Sequence, residues 1–530
     1  MIMKRYIRII ASMLLGGAIL GACNGTDYDF SVCEMKVDRD AIVDVAAQNP
    51  GQEAVVLTTT APYWMVQTPD WITPDATTGY GEKSIITFTI ASNFKNENTD
   101  MAARSGEIKI SGGMTSVIIT VNQLGYTAPV DPDASIGGIT DMDEFKDFVA
   151  AVNNGRSLSR WYNADGEVEL LTDIDLSDFT EWEPIGMPEK VTYGNNSLTY
   201  TGSAFKGKFN GGGHTISNFN LNAAVAKDAA VGFFGMLEGA TVKNLTINGK
   251  MSISATGAGA AGMLAGAMIS TTVENVKVNA DVEFKGTITS DRFATGGLIG
   301  FSYGTGDTNS LIKDCIMTGN VNAVSGEGNV TNGATAVVYG GITGFSTSPA
   351  EPATVIEGCE NNGKITASLG RCSGIVATAH AGTTIKGCVN NADQVNTFDN
   401  GRIGNIVSVI GSNGRIEDCI NNGNLTTTTA KTTTGAIAAL LNESHVVIKG
   451  GRNNGTVIGG NTSTIGLIAA NFSKFSSVSG FTVSGKIGYY KEDGNHEMQD
   501  LNEGTYMKFI GKITSANLAK VTDIKFEPTK

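Results

Sequence analysis

The residues best able to do chemistry are few and widely spaced. Four histidines, His214, His380, His445 and His496, are spread over 530 residues. They fall in separate stretches, with no nucleophile-elbow sequence beside a serine, so the pattern does not support a Ser-His-acid hydrolase. His214 follows three glycines and is expected as a turn residue bonded to backbone. No HExxH, CxxC or DxDxDG pattern occurs, and neither a metal nor a cofactor is expected. A glycosidase or polysaccharide lyase would need a facing carboxylate pair, or Ca²⁺ ligands with a basic residue, aligned on one face. The regularly spaced acids Glu274, Glu357 and Glu417 alternate instead with Lys243, Lys313, Lys386 and Lys449, a spacing suited to ion pairs. Binding remains. Tyr303, Asp307, Glu327 and Tyr339 lie in the longest interruptions of the sequence pattern, combine aromatic faces with acids, and are the candidate contacts for a sugar.

These residues must be positioned by repeats. Val242-Lys243-Asn244-Leu245 recurs as Val273-Glu274-Asn275-Val276, Ile312-Lys313-Asp314-Cys315, Ile356-Glu357-Gly358-Cys359 and onward to Val478-Ser479-Gly480-Phe481, giving eight units of about thirty residues. A second half-unit carries small residues, as in Gly296-Gly297-Leu298-Ile299-Gly300 and Gly340-Gly341-Ile342-Thr343-Gly344. β-Branched residues, short apolar runs and glycine corners predict strands stacked as a parallel β-helix. In that register Asn248, Asn279, Thr318, Asn362, Asn391, Asn422, Asn454 and Ser484 form one corner column, where amides can bond from coil to coil. Cys315, Cys359, Cys388 and Cys419 form another. Side chains one rung apart would have Cβ atoms ~4.8 Å apart, beyond the roughly 3.5–4.5 Å of a disulfide, so buried thiols are expected. Asp143 to Val152 has helical apolar spacing and is expected to cap the first coil.

Earlier in the chain, Lys4, Arg5 and Arg8 flank an apolar run from Ile9 to Leu20, ending Leu20-Gly21-Ala22-Cys23. This resembles a bacterial lipobox. The resemblance implies a signal peptide over 1–22, a lipid on Cys23, a tether over 23–35 and a place on the outer membrane, exposed at the cell surface. Residues 36–126 alternate with period two, as in Ile85-Ile86-Thr87-Phe88-Thr89-Ile90. Tyr63-Trp64, Trp71-Ile72, Asn93, Arg104-Ser105-Gly106-Glu107-Ile108 and Val121-Asn122-Gln123-Leu124-Gly125 resemble the BACON domain, an immunoglobulin-like module of Bacteroidota surface proteins. That resemblance implies either sugar binding or spacing; Trp64 and Trp71 are expected in the core. A linker at 127–135 precedes an N-terminal cap and first coils at 136–204, repeats at 205–487 and a C-terminal cap at 488–530. With the Gly-Gly-Leu-Ile-Gly runs, Phe205-Lys206-Gly207-Lys208-Phe209-Asn210-Gly211-Gly212-Gly213 makes 136–487 resemble GLUG-motif surface proteins.

Composition limits the function. With 38 Lys and Arg against 52 Asp and Glu the net charge is −14, and the basic residues read as scattered, which argues against nucleic acid. The 67 glycines and 11 prolines suit stacked strands rather than a disordered chain. The expectation is an all-β chain, an immunoglobulin-like β-sandwich followed by a parallel β-helix with short caps. It is expected to be a lipid-anchored, non-catalytic surface protein with a glycan or mucin ligand. A carbohydrate-active enzyme on a β-helix and a structural component of a surface assembly are the alternatives.

Overall fold

The computed structural model describes residues 33–95, 101–126 and 136–528, apart from 180, 195, 226, 287–291, 306–307, 326–336, 350–353, 369, 461–464 and 492. Cys23 lies outside the described residues. The chain divides into two compact units between Pro132 and Asp133.

The first unit is the sandwich. Period-two alternation turns Val55, Leu57, Ile86, Phe88, Ile108, Ile110, Ile119 and Val121 to one side of their strands, where all are buried. One sheet joins Met35–Val37, Gln52–Thr59, Lys83–Ile90 and Ile72–Pro74; the other joins Ala41–Val45, Thr115–Gln123, Arg104–Gly112, Trp64–Gln67 and Thr78–Gly79. Trp64 is in the core, its indole N–H donating to Ser84 Oγ at 3.1 Å. Its ring lies so close to Gly79 that a Cβ there would stand 2.1 Å away. Trp71 is half-buried over Gly106, beneath the Arg104 guanidinium at 4.4 Å. Arg104 Nε donates to Gln123 Oε1 at 2.8 Å, and the Gln123 amide donates to the carbonyls of Ala46 and Ala91. The residues that carry the BACON likeness are thus largely a packing and hydrogen-bond lock between strands.

The second unit is a parallel β-solenoid of about eight turns. Each coil crosses three parallel sheets. The longest, here the ladder sheet, stacks the apolar column Val242, Val273, Ile312, Ile356, Ile385, Ile416, Ile448 and Val478 in register. The glycine sheet has eight strands among the described residues, from Ala229–Val231 through Val337–Gly340, Arg371–Ser373 and Arg402–Gly404 to Ile465–Gly466. The third sheet, also of eight, runs from Phe234–Glu238 through Ile299–Tyr303, Thr343–Thr347, Val376–Ala379 and Val407–Ile410 to Ala469–Asn471. The bend between these two sheets explains the glycines. A Cβ on Gly296 would lie 1.9 Å from the Ile299 carbonyl oxygen, and one on Gly340 1.9 Å from that of Thr343.

The expected columns form. Asn279 donates to Asn248 at 2.9 Å, Asn391 to Asn362 at 2.9 Å, Asn422 to Asn391 at 2.7 Å and Asn454 to Asn422 at 2.7 Å. A second ladder, absent from the sequence reading, runs inside: buried Asn361, Asn390, Asn421 and Asn453 are linked at 2.8, 3.0 and 2.8 Å, each donating toward the next coil rather than the previous one. The column thiols are buried without disulfides, Cys359 Sγ lying 3.5 Å from the Ile312 carbonyl oxygen, and burial pushes the Cys359 and Cys419 thiols up. The charge column makes ion pairs between coils at Glu274–Lys313, 3.1 Å, and Glu357–Lys386, 3.6 Å. Two members pair elsewhere, Lys243 with Glu167 and Glu417 with Arg415.

Both ends are covered. The helix Met142–Asn153 starts at Asp141, whose carboxylate accepts from the Asp143 and Glu144 amides, and buries Phe145 and Phe148 against the first coils. Residues 488–530, expected to break the pattern, add part of another rung: Lys520–Thr522 pairs with Ser477–Ser479, and Lys525–Phe526 with Thr482–Val483.

Candidate functional site

Strand alternation sends one set of side chains inward and the other out. The outward set includes Ala230, Ala260, Ala294 and Val338 of the glycine sheet and Met236, Ala267, Phe301 and Phe345 of the third sheet, and these share one apolar cluster. The two outer faces therefore meet in a re-entrant corner. A hairpin, Pro188–Tyr193 with Leu198–Gly202, fills its first part, adding Val191 and Leu198 to the cluster. Tyr193 fixes it by donating to the Ala229 carbonyl at 2.7 Å and packing its ring 5.2 Å from Phe301. Tyr200 donates to Glu238 at 2.6 Å, and Glu238 pairs with Lys206 at 2.7 Å.

Beyond the hairpin tip the corner opens into a cavity of about 340 Å³, lined among others by Asn196, Arg292, Arg371, His380, Arg402, Asn442 and Glu443. Arg371 and Arg402 are paired residues on adjacent coils of the glycine sheet. Arg371 donates to Thr378 Oγ1 at 3.2 Å, and the Arg292 guanidinium lies 4.3 Å over the Phe345 ring. Phe345 in turn stacks on Phe301 at 4.8 Å and meets the His380 ring at 5.0 Å. An aromatic file thus runs from the hairpin to the mouth of the cavity.

The electrostatics of this cavity are unlike those of the ladder sheet. Burial, with Arg402 and Arg292 nearby, lowers Arg371 to about 9, so it stays charged at neutral pH. Burial, with Arg292 and Arg371 acting against the weaker pull of Glu443, brings His380 down to about 4. Glu443 accepts from Ser412 Oγ at 2.6 Å and is the one carboxylate in the described lining. Among the described residues the cavity's lining brings together three guanidiniums and one carboxylate, and no carboxylate pair of the kind that acid/base glycoside cleavage uses.

The residues expected from sequence are not brought together here. Tyr303 is half-buried against the hairpin cluster on the corner's outer face. Tyr339 is corrected: it is wholly buried inside the coil, its ring 5.2 Å from Phe284, because strand alternation turns it inward next to outward-facing Val338. It cannot touch a ligand at the surface. Asp307 and Glu327 lie outside the described residues. The reading of basic residues as scattered is also corrected, since Arg371 and Arg402 are one coil apart and the fold stacks them. His214 bonds to a carboxylate, Asp173 Oδ1 at 3.1 Å, rather than to backbone alone. Among the described residues no group of three His, Cys, Asp or Glu is placed to hold a metal, and no helix is long and apolar enough to cross a membrane.

Comparison with known proteins adds the following. Residues 63–124 match the family model described as "BACON: Putative binding domain, N-terminal". Halomucin of Haloquadratum walsbyi is 26% identical over 220 residues, covering 41% of this chain, while the chain spans only 2% of Halomucin's length. The solved structure of a "putative immunoglobulin A1 protease from Bacteroides ovatus" covers 74% of this chain and 84% of its own, at 16% identity and a TM-score of 0.36. The Bacteroides ovatus GH5 xyloglucanase covers 35% of this chain and 36% of its own, at 14% identity and a TM-score of 0.15.

Proposed function

We propose that this chain is a lipid-anchored, non-catalytic protein of the outer membrane that binds glycans at the cell surface through the outer corner of its β-helix. Cys23 is the attachment point, and the sandwich is the module between anchor and solenoid in chain order. The observation that carries the reading is the polar cavity at Arg371, Arg402 and Asn442, set where the hairpin stops covering the corner. Its volume is at the lower end of the roughly 300–1,000 Å³ of small-molecule sites. The description of the BACON model as a binding domain and the partial likeness to Halomucin support a binding role. A panel of mucins and polysaccharides presented to the full chain tests it: saturable binding is expected, and none across the panel would overturn it.

One observation favours an enzyme as the second reading. His380 is held neutral beside arginines in the same cavity, as a base abstracting a proton next to a sugar carboxylate would be. Unsaturated products from a uronate polysaccharide, lost in His380→Gln, would establish that reading and displace the first.

A further inference from the structure

We propose that the glycan is an internal stretch of a linear polysaccharide, lying lengthwise in the outer corner and passing from the cavity over the coils that follow it. This rests on the glycan reading and names the form of the glycan. The two faces that meet in the corner are columns of outward side chains, repeating from coil to coil at about 4.8 Å. Under the hairpin both columns are apolar, ending at Val338 on the glycine sheet and Phe345 on the third sheet. One coil later both change. Val338 is followed by Arg371, Arg402 and Thr433. Phe345 is followed by Thr378, Val409, Leu440 and Asn471. The switch falls where the hairpin ends, since Asn196 at its tip lines the cavity together with Arg371, Arg402 and Val409. The trough continues past the cavity, carried on by Thr433, Leu440 and Asn471, all half-buried. From Thr378 to Asn471 is three coil steps, or roughly 14 Å. A protein segment seated like the hairpin, which docks through Val191 and Leu198, would bury Thr433 and Asn471 without matching them. A sugar ring supplies both kinds of contact: an apolar C–H face for Val409 and Leu440, and rim hydroxyls for Arg402, Thr433 and Asn471. With a sheet on either side, a chain of such rings continues along the solenoid axis.

The test is a titration of the full chain with the mono-, di-, tetra- and hexasaccharides of a β-glucan, a xylan and a polygalacturonate, beside the parent polymers and a mucin. Affinity is expected to climb with length in the series that binds, the hexasaccharide exceeding the disaccharide by about tenfold or more. Thr433→Trp narrows the trough one coil beyond Arg402 and is expected to remove most of that gain. Leu440→Asn, which takes away the apolar floor one coil beyond Val409, is expected to do the same. If Thr433→Trp fails to fold, Leu440→Asn decides alone. A disaccharide bound as tightly as the hexasaccharide, or a length dependence that the folded variants leave intact, would overturn this inference and leave the glycan reading standing. Binding confined to the mucin, with every linear series silent, would do likewise. A dimer in solution that Thr433→Trp disperses would seat a second copy of the chain in the trough and overturn the inference as well. No binding to any series, parent polymer or mucin would overturn both this inference and the glycan reading.

Discussion

His380 and the arginines around it give the protein a pH signature. The ordinary histidine value is 6.5 and the folded one about 4, so the unfolded chain binds more protons between these values. Stability is therefore expected to fall as pH drops from about 6.5 towards 4. A series of melting temperatures checks this, and His380→Gln should flatten the slope. The two asparagine ladders separate in the same way by burial. Asn421→Ala strips buried Asn390 and Asn453 of a partner and is expected to cost about 2–4 kcal/mol in denaturant unfolding, whereas Asn422→Ala on the exposed ladder should cost about 1 or less. The outer ladder was legible because its residues precede Gly or Ala at each repeat. The inner one sits a single position earlier, but period alone does not say which of two adjacent amides points in. Arg371 and Arg402 were legible in principle too, since they stand 31 positions apart, one coil, yet only the strand register shows that they face outward together.

At the scale of elements, the glycine columns are the most constrained feature. Gly340→Ala places a Cβ 1.9 Å from the Thr343 carbonyl oxygen, with backbone on both sides that cannot yield, and is expected to destabilise by roughly 3 kcal/mol or more. Replacing Gly239, whose added Cβ would meet nothing within 4 Å, should cost only the strain of its left-handed backbone, about 1 kcal/mol. Both can be read by chemical denaturation. The coils, their register and the capping helix were legible because repeated chemistry marks them. The hairpin at 188–202 was not. It repeats nothing, and its Val191 and Leu198 share one apolar cluster with the outward alanines Ala230, Ala260, Ala267 and Ala294. In the fold the hairpin packs into the cluster they form, and Asn196 at its tip lines the cavity. Tyr193→Ala should loosen that cover, lowering both melting temperature and ligand affinity.

At the scale of the whole molecule, the first unit is a sandwich with Trp64 in its core and the second a solenoid with a cavity on its outer corner, and the proposed anchor at Cys23 precedes both in the chain. The anchor has a direct check: Cys23→Ser is expected to move the protein from the membrane fraction to the soluble one. The sandwich makes a contrasting expectation, since the indole of Trp64 is spent on packing and Trp71 lies under Arg104. The measurement that bears most directly on the central claim is a crystal structure of the full chain with the tightest saccharide from the binding panel. Sugar density is expected beyond the hairpin tip, in the cavity lined by Arg371, Arg402 and Asn442. Saccharide bound on the sandwich, with the corner empty, would contradict it.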